Sequence, residues 1–465
     1  MWKASVAVFA LGADVVMDAL QAGRWRQAAE VEVRRRAILS DLMDALDDAG
    51  AGGYVSGDGH GRRDAADNAR GVGEYLGRLD IMEAKFLMRY AKWMGAGIVA
   101  SVLCAQASPA AEDLSNLAGV PPTERNPVAP DLVWPEEVGQ ADVCLWKDDK
   151  VAAFTVTIDD NTKPDHAWWL EQGRTYGFRF TWFVVTDGLV EGKNPGWNGT
   201  WADFQALVDA GHDVQSHSVT HRSKTSALSP ADDYAPSIRH IEENLRGVRC
   251  LTLAYPGGGL PNDREVAAQF FAGARGTRGL INPPSPDYLD TCSIGSPAAT
   301  LTQPGEKGDW ASLRGVAEKH PAMPKSYRGW YCMHFHGVAW NDKLKSEVAP
   351  KAIEVFDYVK AREDKFWMAL FREVVLYGQE RDTARLAVTQ VAASEIRFTL
   401  SDRMRDDWYD YPLTVKVRVP DDWAGVAATQ AEREVSARLI EHGGRRFALV
   451  EAVPDRGETR LWRRP

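Results

Sequence analysis

The chain has 465 residues, 45 % of them hydrophobic, enough to bury a large core and to set an expectation of two or three domains. Its net charge of −10, with no extended basic stripe, argues against a nucleic-acid partner. Five cysteines show no paired spacing of the zinc-finger or C-x-x-C kind, so they define neither a disulfide framework nor a redox compartment. Seventeen tryptophans is a high count; core packing accounts for most such residues, and aromatic platforms in sugar-handling clefts are a second use.

Residues 1–87 contain a Gly/Asp/Arg-rich middle, "AGAGGYVSGDGHGRRDAADNARG", with little apolar periodicity. They are expected to be a non-native or disordered extension. From Met88 the chain reads "MRYAKWMGAGIVASVLCAQASPAAEDLS". Arg89 and Lys92 form a short positive region, Met94–Leu103 an apolar run too short to span a membrane as a helix, and "AQAS" and "SPAAE" small-residue cleavage patterns. Residues 88–111 are therefore read as a secretory signal peptide starting at Met88, which implies a secreted or periplasmic protein. Cys104 raises lipoprotein anchoring, but the bulky Leu103 before it makes that the lesser expectation. Residues 112–143, rich in proline, read as an extended linker.

From residue 144 strands and helices alternate. "VAAFTVTI", "FRFTWFVV", "HDVQSHS", "RCLTLAYP" and "GWYCMHFHG" read as strands. "HAWWLEQGRTYG", "WADFQALVDAG", "PSIRHIEENLRG", "REVAAQFFAGA", "PKAIEVFDYVKARED" and "KFWMALFREVVLYGQERDTA" read as helices. Repeats of this length argue for a parallel sheet or a (β/α) barrel, with chemistry at the C-terminal ends of the strands. After about Val388 the pattern turns to period-two alternation ("SEIRFTLSD", "YPLTVKVRVP", "RRFALVEAV"), so residues 386–465 are expected to form a small accessory all-β domain.

Four polar clusters fall at strand ends. Asp159 and Asp160 close the first strand. His217 and His221 lie four apart in "DVQSHSVTH"; with a carboxylate from another strand they make a His-His-Asp set that leaves room for water on a metal. Pro256 and three glycines in "LAYPGGG" form a tight turn whose backbone N–H groups can face an oxyanion. His334 and His336 alternate on the last strand: His336 can donate a proton, and His334 reads as a satisfied core histidine.

In this order the clusters resemble the motifs of the polysaccharide deacetylase family (carbohydrate esterase family four, the NodB-homology domain). "TIDD", "HSVTH", "LAYPGG" and "FHG" carry the resemblance over residues 144–385. It implies a distorted (β/α) barrel of about seven strands that removes N- or O-acetyl groups from a polysaccharide or oligosaccharide. It further implies Asp159 as general base and His336 as general acid. Asp160, His217 and His221 would be ligands to a divalent metal, Zn²⁺ foremost, and the Gly257 N–H an oxyanion donor. The implied partner is an acetylated carbohydrate, with no protein partner. The chain departs from the family in three places. Ala254 stands where relatives carry an arginine that pairs with the base, and Gly257 stands where they often carry Tyr. The acidic residue and Trp of the fourth motif have no clean match, "PDYLDT" (Asp287, Asp290) and "GDW" (Asp309, Trp310) being the candidates. Two other readings are weighed: a same-fold hydrolase of a cyclic amide or imide, and a non-catalytic carbohydrate-binding protein. The intact Asp160/His217/His221 set argues against the first, and Asp159 with His336 against the second.

Overall fold

A computed structural model describes residues 114–222, 228–259, 263–279, 281–295, 309–321 and 325–464. All belong to one compact unit, 108–465. The expected extension (1–87), the signal peptide (88–111) and Cys104 lie outside the described residues, as do the side chains of Asp309 and Trp310. No helix among the described residues is long and apolar enough to cross a membrane.

A short strand, β1 (Ala141–Val143), precedes the alternating region. That region supplies β2 (Ala152–Asp159), β3 (Thr181–Val184), β4 (Asp213–Ser216), β5 (Thr252–Ala254), β6 (Gly273–Arg275), β7 (Trp330–Phe335) and β8 (Phe366–Met368). These seven make one parallel sheet in the order β6-β5-β4-β3-β2-β7, with β8 against the start of β2. The chain between β6 and β7 joins the two edges. Thr291 donates to Ala274 O (3.1 Å) and accepts from Gly276 N–H (2.9 Å). Ile294 donates to Cys332 O (2.8 Å) and accepts from His334 N–H (2.9 Å). The sheet therefore curls round into the expected distorted (β/α) barrel.

Period-two alternation sorts the side chains. In β2, Phe154, Val156 and Ile158 pack into an outer core with Trp182, Val214, Leu253 and Met333. That core is covered by α1 (His166–Tyr176), α2 (Trp201–Asp209), α3 (Pro230–Asn244), α4 (Asp263–Phe270), α5 (Asp309–Ala317) and α6 (Ala349–Lys360). On the other face Thr155 accepts from Trp330 Nε1–H (2.9 Å), Thr157 donates to Met333 O (3.0 Å), and Asp159 ends the row. The last helix, α7 (Phe371–Thr383), is buried from Val374 onward and belongs to a second core shared with Phe183, Trp330 and the C-terminal sheets.

Three element expectations need correction. α3 begins at Pro230 rather than Pro236: the Ser229 hydroxyl accepts from Asp232 N–H (3.2 Å), Pro230 suits the first helical position, and Pro236 stays inside the helix. "REVAAQFFAGA" is not helical throughout, since α4 stops at Phe270 and Gly273–Arg275 is β6. "KFWMALFREVV" likewise begins as a strand, β8, because its apolar residues pair with the buried start of β2.

The C-terminal region holds β9 (Arg385–Val391), β10 (Glu395–Ser401), β11 (Leu413–Arg418), β12 (Gly425–Gln430), β13 (Arg433–Val435), β14 (Ala437–His442), β15 (Arg445–Ala452) and β16 (Glu458–Arg464). They form two antiparallel sheets, β1-β11-β15-β14 and β13-β12-β16-β10-β9, so this region is all-β. The segment read as a linker contributes β1 to the first of these sheets, where Asp142 stands opposite Lys416.

Candidate active site

Because the barrel strands run parallel, every residue that immediately follows one lies at the same end. Asp160 follows β2, His217 follows β4, Pro256–Gly258 follows β5 and His336 follows β7. Asp160, His217 and His221 each offer one ligand atom, and these atoms all lie within 4.8 Å of one another. His217 Nε2 is 3.8 Å and His221 Nε2 3.7 Å from Asp160 Oδ1. These separations are too long for hydrogen bonds. They are shorter than the sum of a Zn–N and a Zn–O bond, roughly 4.0–4.3 Å, so one ion can touch all three donors.

The backbone holds the donors in costly conformations. Asp160 (φ 59°), Ser218 (φ 69°) and His221 (φ 53°) are all left-handed. Each such non-glycine residue costs about 1–2 kcal/mol and persists only where its surroundings enforce it. The enforcement is visible. Ser218 N–H donates to Ser216 Oγ (3.0 Å) and His221 N–H to Ser218 Oγ (3.0 Å). Thr220 donates through both N–H and hydroxyl to Asp233 Oδ1 of α3 (2.9 Å each). The His217 Nδ1–H donates to Ala254 O (2.7 Å), which fixes the tautomer and leaves the Nε2 lone pair, 3.8 Å from Asp160 Oδ1, available to a cation. Burial pulls the His217 pKa down against the attraction of Asp159 and Asp160, which keeps that lone pair free.

Asp159, only 2 % exposed, is ion-paired with the guanidinium of Arg275, which is fully buried at the end of β6. Arg275 also lies over the Phe183 ring, 5.0 Å from its centroid, and its Nη1 donates to Gly276 O (3.4 Å). Burial alone would raise the Asp159 pKa. Arg275, helped by His217, His334 and His336, outweighs burial and holds it below the usual carboxylate range. Ala254 therefore does not leave this carboxylate unpaired: the neighbouring strand supplies the arginine. Sequence reasoning missed Arg275; the available signal was a lone arginine in the apolar run "FFAGARG".

His334 is buried and hydrogen-bonded, as a core histidine should be. Because Ser293 Oγ donates to Gly276 O (2.6 Å), it accepts from His334 Nδ1–H (2.8 Å). Burial, with Arg275 nearby, drives the His334 pKa down to about 4, so the ring is neutral beside Asp159. His336 is exposed, and its loop is tied to the loop after β2: Thr162 Oγ1 donates to His336 O (2.7 Å), and the Asp165 carboxylate accepts from Val338 N–H (2.6 Å) and Ala339 N–H (2.9 Å). Gly257 is exposed with φ 61°, in the turn whose preceding Ala254 carbonyl orients His217. Of the fourth-motif candidates whose side chains are described, Asp287 pairs with Arg264 and Asp290 with Arg278, both at the surface.

A parallel barrel with carboxylates and imidazoles gathered over the C-terminal ends of its strands defines a class of proteins in which a cation and an adjacent base can meet a substrate in one open cleft. Residues 147–273 match the family model described as polysaccharide deacetylase. The match contains Asp159, Asp160, His217, His221 and Gly257; Arg275 lies just beyond it and His336 well beyond it. A curated relative from Bacillus sp., named gellan lyase, is 36 % identical over 343 residues. The alignment takes in 70 % of this chain but only 13 % of that much longer protein. Among solved structures, a Mycobacterium smegmatis protein described as a polysaccharide deacetylase is 15 % identical, with 51 % of this chain and 94 % of that one covered and a TM-score of 0.35. A pseudoenzyme of carbohydrate esterase family four from Bacillus anthracis is 16 % identical, with 48 % and 66 % covered and a TM-score of 0.33.

Proposed function

We propose that this domain is a metal-dependent hydrolase that removes acetyl groups from a carbohydrate polymer or oligomer. The observation that carries the reading is the convergence of Asp160, His217 and His221 beside an Asp159 that is buried and paired with Arg275. Three donors with the middle histidine already oriented by Ala254 O fit a divalent cation, Zn²⁺ foremost. Such a cation, when bound, supplies Lewis acidity toward a carbonyl oxygen and makes water more acidic.

The chain's own groups divide the remaining work. Asp159, kept ionised by Arg275, takes the proton from the attacking water. The Gly257 N–H faces the oxygen on which negative charge develops. His336, exposed at the end of β7, gives a proton to the departing amine or alcohol. The Arg275 pairing favours this reading over carbohydrate binding without catalysis, because the carboxylate keeps a basic partner although residue 254 is alanine.

Acetate release from acetylated chitin oligomers, acetylated xylan and acetylated gellan, with and without chelator, tests the proposal. Gellan joins the panel because of the name of the Bacillus relative. Asp159→Ala is expected to lower release by about 10²–10⁴-fold, and His217→Ala to lower bound metal. Release that survives both chelation and Asp159→Ala would overturn the mechanism. Export is part of the same proposal, resting on Arg89, Lys92 and the apolar run that follows. N-terminal sequencing of the native protein tests it: peptides from residues 1–87 in the exported protein speak against the expected start at Met88.

A further inference from the structure

Among the described residues, two tryptophans are exposed, Trp197 (37 %) and Trp340 (43 %). They meet each other, with ring centroids 5.1 Å apart and planes at 82°. Trp197 sits on the short helix Pro195–Asn198, in the loop after β3. Trp340 sits in the loop after β7, four residues beyond His336. A Cβ on Gly337 would come within 2.5 Å of Trp340 Nε1, so the indole lies back over the residue that follows the proposed acid. Trp197 shares a cleft of about 220 Å³ with Asp160 and with three further polar side chains, Asn161, Asp187 and Asn198.

Large apolar rings are seldom left in solvent as a contacting pair unless something covers them. Here one ring shares a cleft with Asp160 and the other lies over Gly337, beside the proposed acid, which limits what the cover can be. Two orthogonal indoles form a corner with one open face and one closing side. A pyranose ring has the complementary chemistry: C–H groups on its faces and hydroxyls round its rim. An aromatic face can take the former, while Asp187 and Asn198 line the wall that would meet the latter. Asp187 also places negative charge there, which favours hydroxyl-bearing rings over carboxylated ones.

We propose that Trp197 and Trp340 form a pyranose-stacking subsite that seats the sugar unit next to the one being deacetylated. The assignment rests on the deacetylase reading for which neighbouring unit is seated, and on the tryptophan corner for the binding itself.

Native gel electrophoresis of the full chain through gels cast with soluble acetylated glycol chitin or acetylated xylan, in the presence of EDTA, tests it. The wild type should be retarded by at least one polymer. Trp197→Ala/Trp340→Ala should bind at least tenfold more weakly at an unchanged unfolding temperature, and Trp197→Phe/Trp340→Phe should keep most of the retardation. Equal retardation of the double alanine variant overturns the subsite, as does a wild type that neither polymer retards. Because binding is read without turnover, absent acetate release would sink the deacetylase reading and leave this result standing. Normal acetate release with retardation indifferent to both tryptophans would sink the subsite alone.

Discussion

Asp159 and Arg275 set the energetics of the site at the scale of single residues. Both are buried, at 2 % and 0 % exposure, so each charge depends on the other. Arg275→Met is expected to lower the unfolding free energy by about 3–5 kcal/mol, since it strands a buried carboxylate. Asp159→Asn/Arg275→Met should recover most of that loss, because no lone charge remains. Arg275→Met should also lower kcat while metal content holds; chemical unfolding of all three variants, with metal analysis, checks both halves. A double variant no more stable than Arg275→Met would show that the pair is held by packing rather than charge. The same pair marks the limit of what the sequence makes legible. Asp159, Asp160, His217 and His221 can be found there because alternation stops and polar residues begin where strands end. Arg275 is far fainter, a lone arginine in an apolar run, because a helical reading of "REVAAQFFAGA" runs into the three-residue strand, and its partner is 116 positions away.

Between elements, two buried imidazoles lock helices to strands. His166 opens α1 and His212 precedes β4, and both pack edge-on against Trp182 of β3. His212 also stacks on Phe180 and accepts the Phe180 N–H at Nδ1 (3.2 Å); a side chain on Gly173 of α1 would strike its ring. Burial brings the pKa of each down to about 4, with Arg179 pushing the same way on His212. On His166 the Asn161 carbonyl and Asp203 oppose burial without overcoming it. A histidine whose folded pKa lies below its unfolded 6.5 contributes its full stability above pH 6.5 and loses it as pH falls toward 4. Each should cost up to about 3 kcal/mol across that window. His212→Asn, whose amide oxygen can still accept the Phe180 N–H, should flatten the fall; urea melts at pH 4.5 and 7 decide, and an unchanged difference would exclude His212 as a source. Such locks are invisible in one dimension, as is the Thr291–Ile294 segment that joins the barrel edges by isolated bridges with no periodic pattern.

For the whole molecule the informative group is Glu380 on α7. It is fully buried where that helix meets the C-terminal sheets; one carboxylate oxygen accepts from Tyr411 N–H (3.1 Å) and the other finds no partner. The core around it runs from Tyr288 and Trp330 of the barrel through Val374 and Tyr377 to Phe398, Val415 and Leu461. Period-two alternation showed the C-terminal strands but not this continuity, since a pattern tells which face is buried and not against what. A shared core predicts that barrel and sheets unfold in one transition, whose midpoint Glu380 should tune. Burial, reinforced by Asp402, Asp410 and Asp406, pushes the Glu380 pKa well above 4.5, so the folded protein keeps a proton that the unfolded chain releases. Stability should therefore fall as pH rises above 4.5, by up to about 1.4 kcal/mol per pH unit from this group, until the folded pKa is passed. Glu380→Gln reproduces the protonated shape without the titration. Its unfolding free energy should match the wild type near pH 4 and exceed it increasingly toward pH 8, in a single transition seen alike by tryptophan fluorescence and far-ultraviolet dichroism. Parallel curves for the two proteins would mean that Glu380 is ionised in the fold, and two separate transitions would mean that the core does not couple the barrel to its sheets.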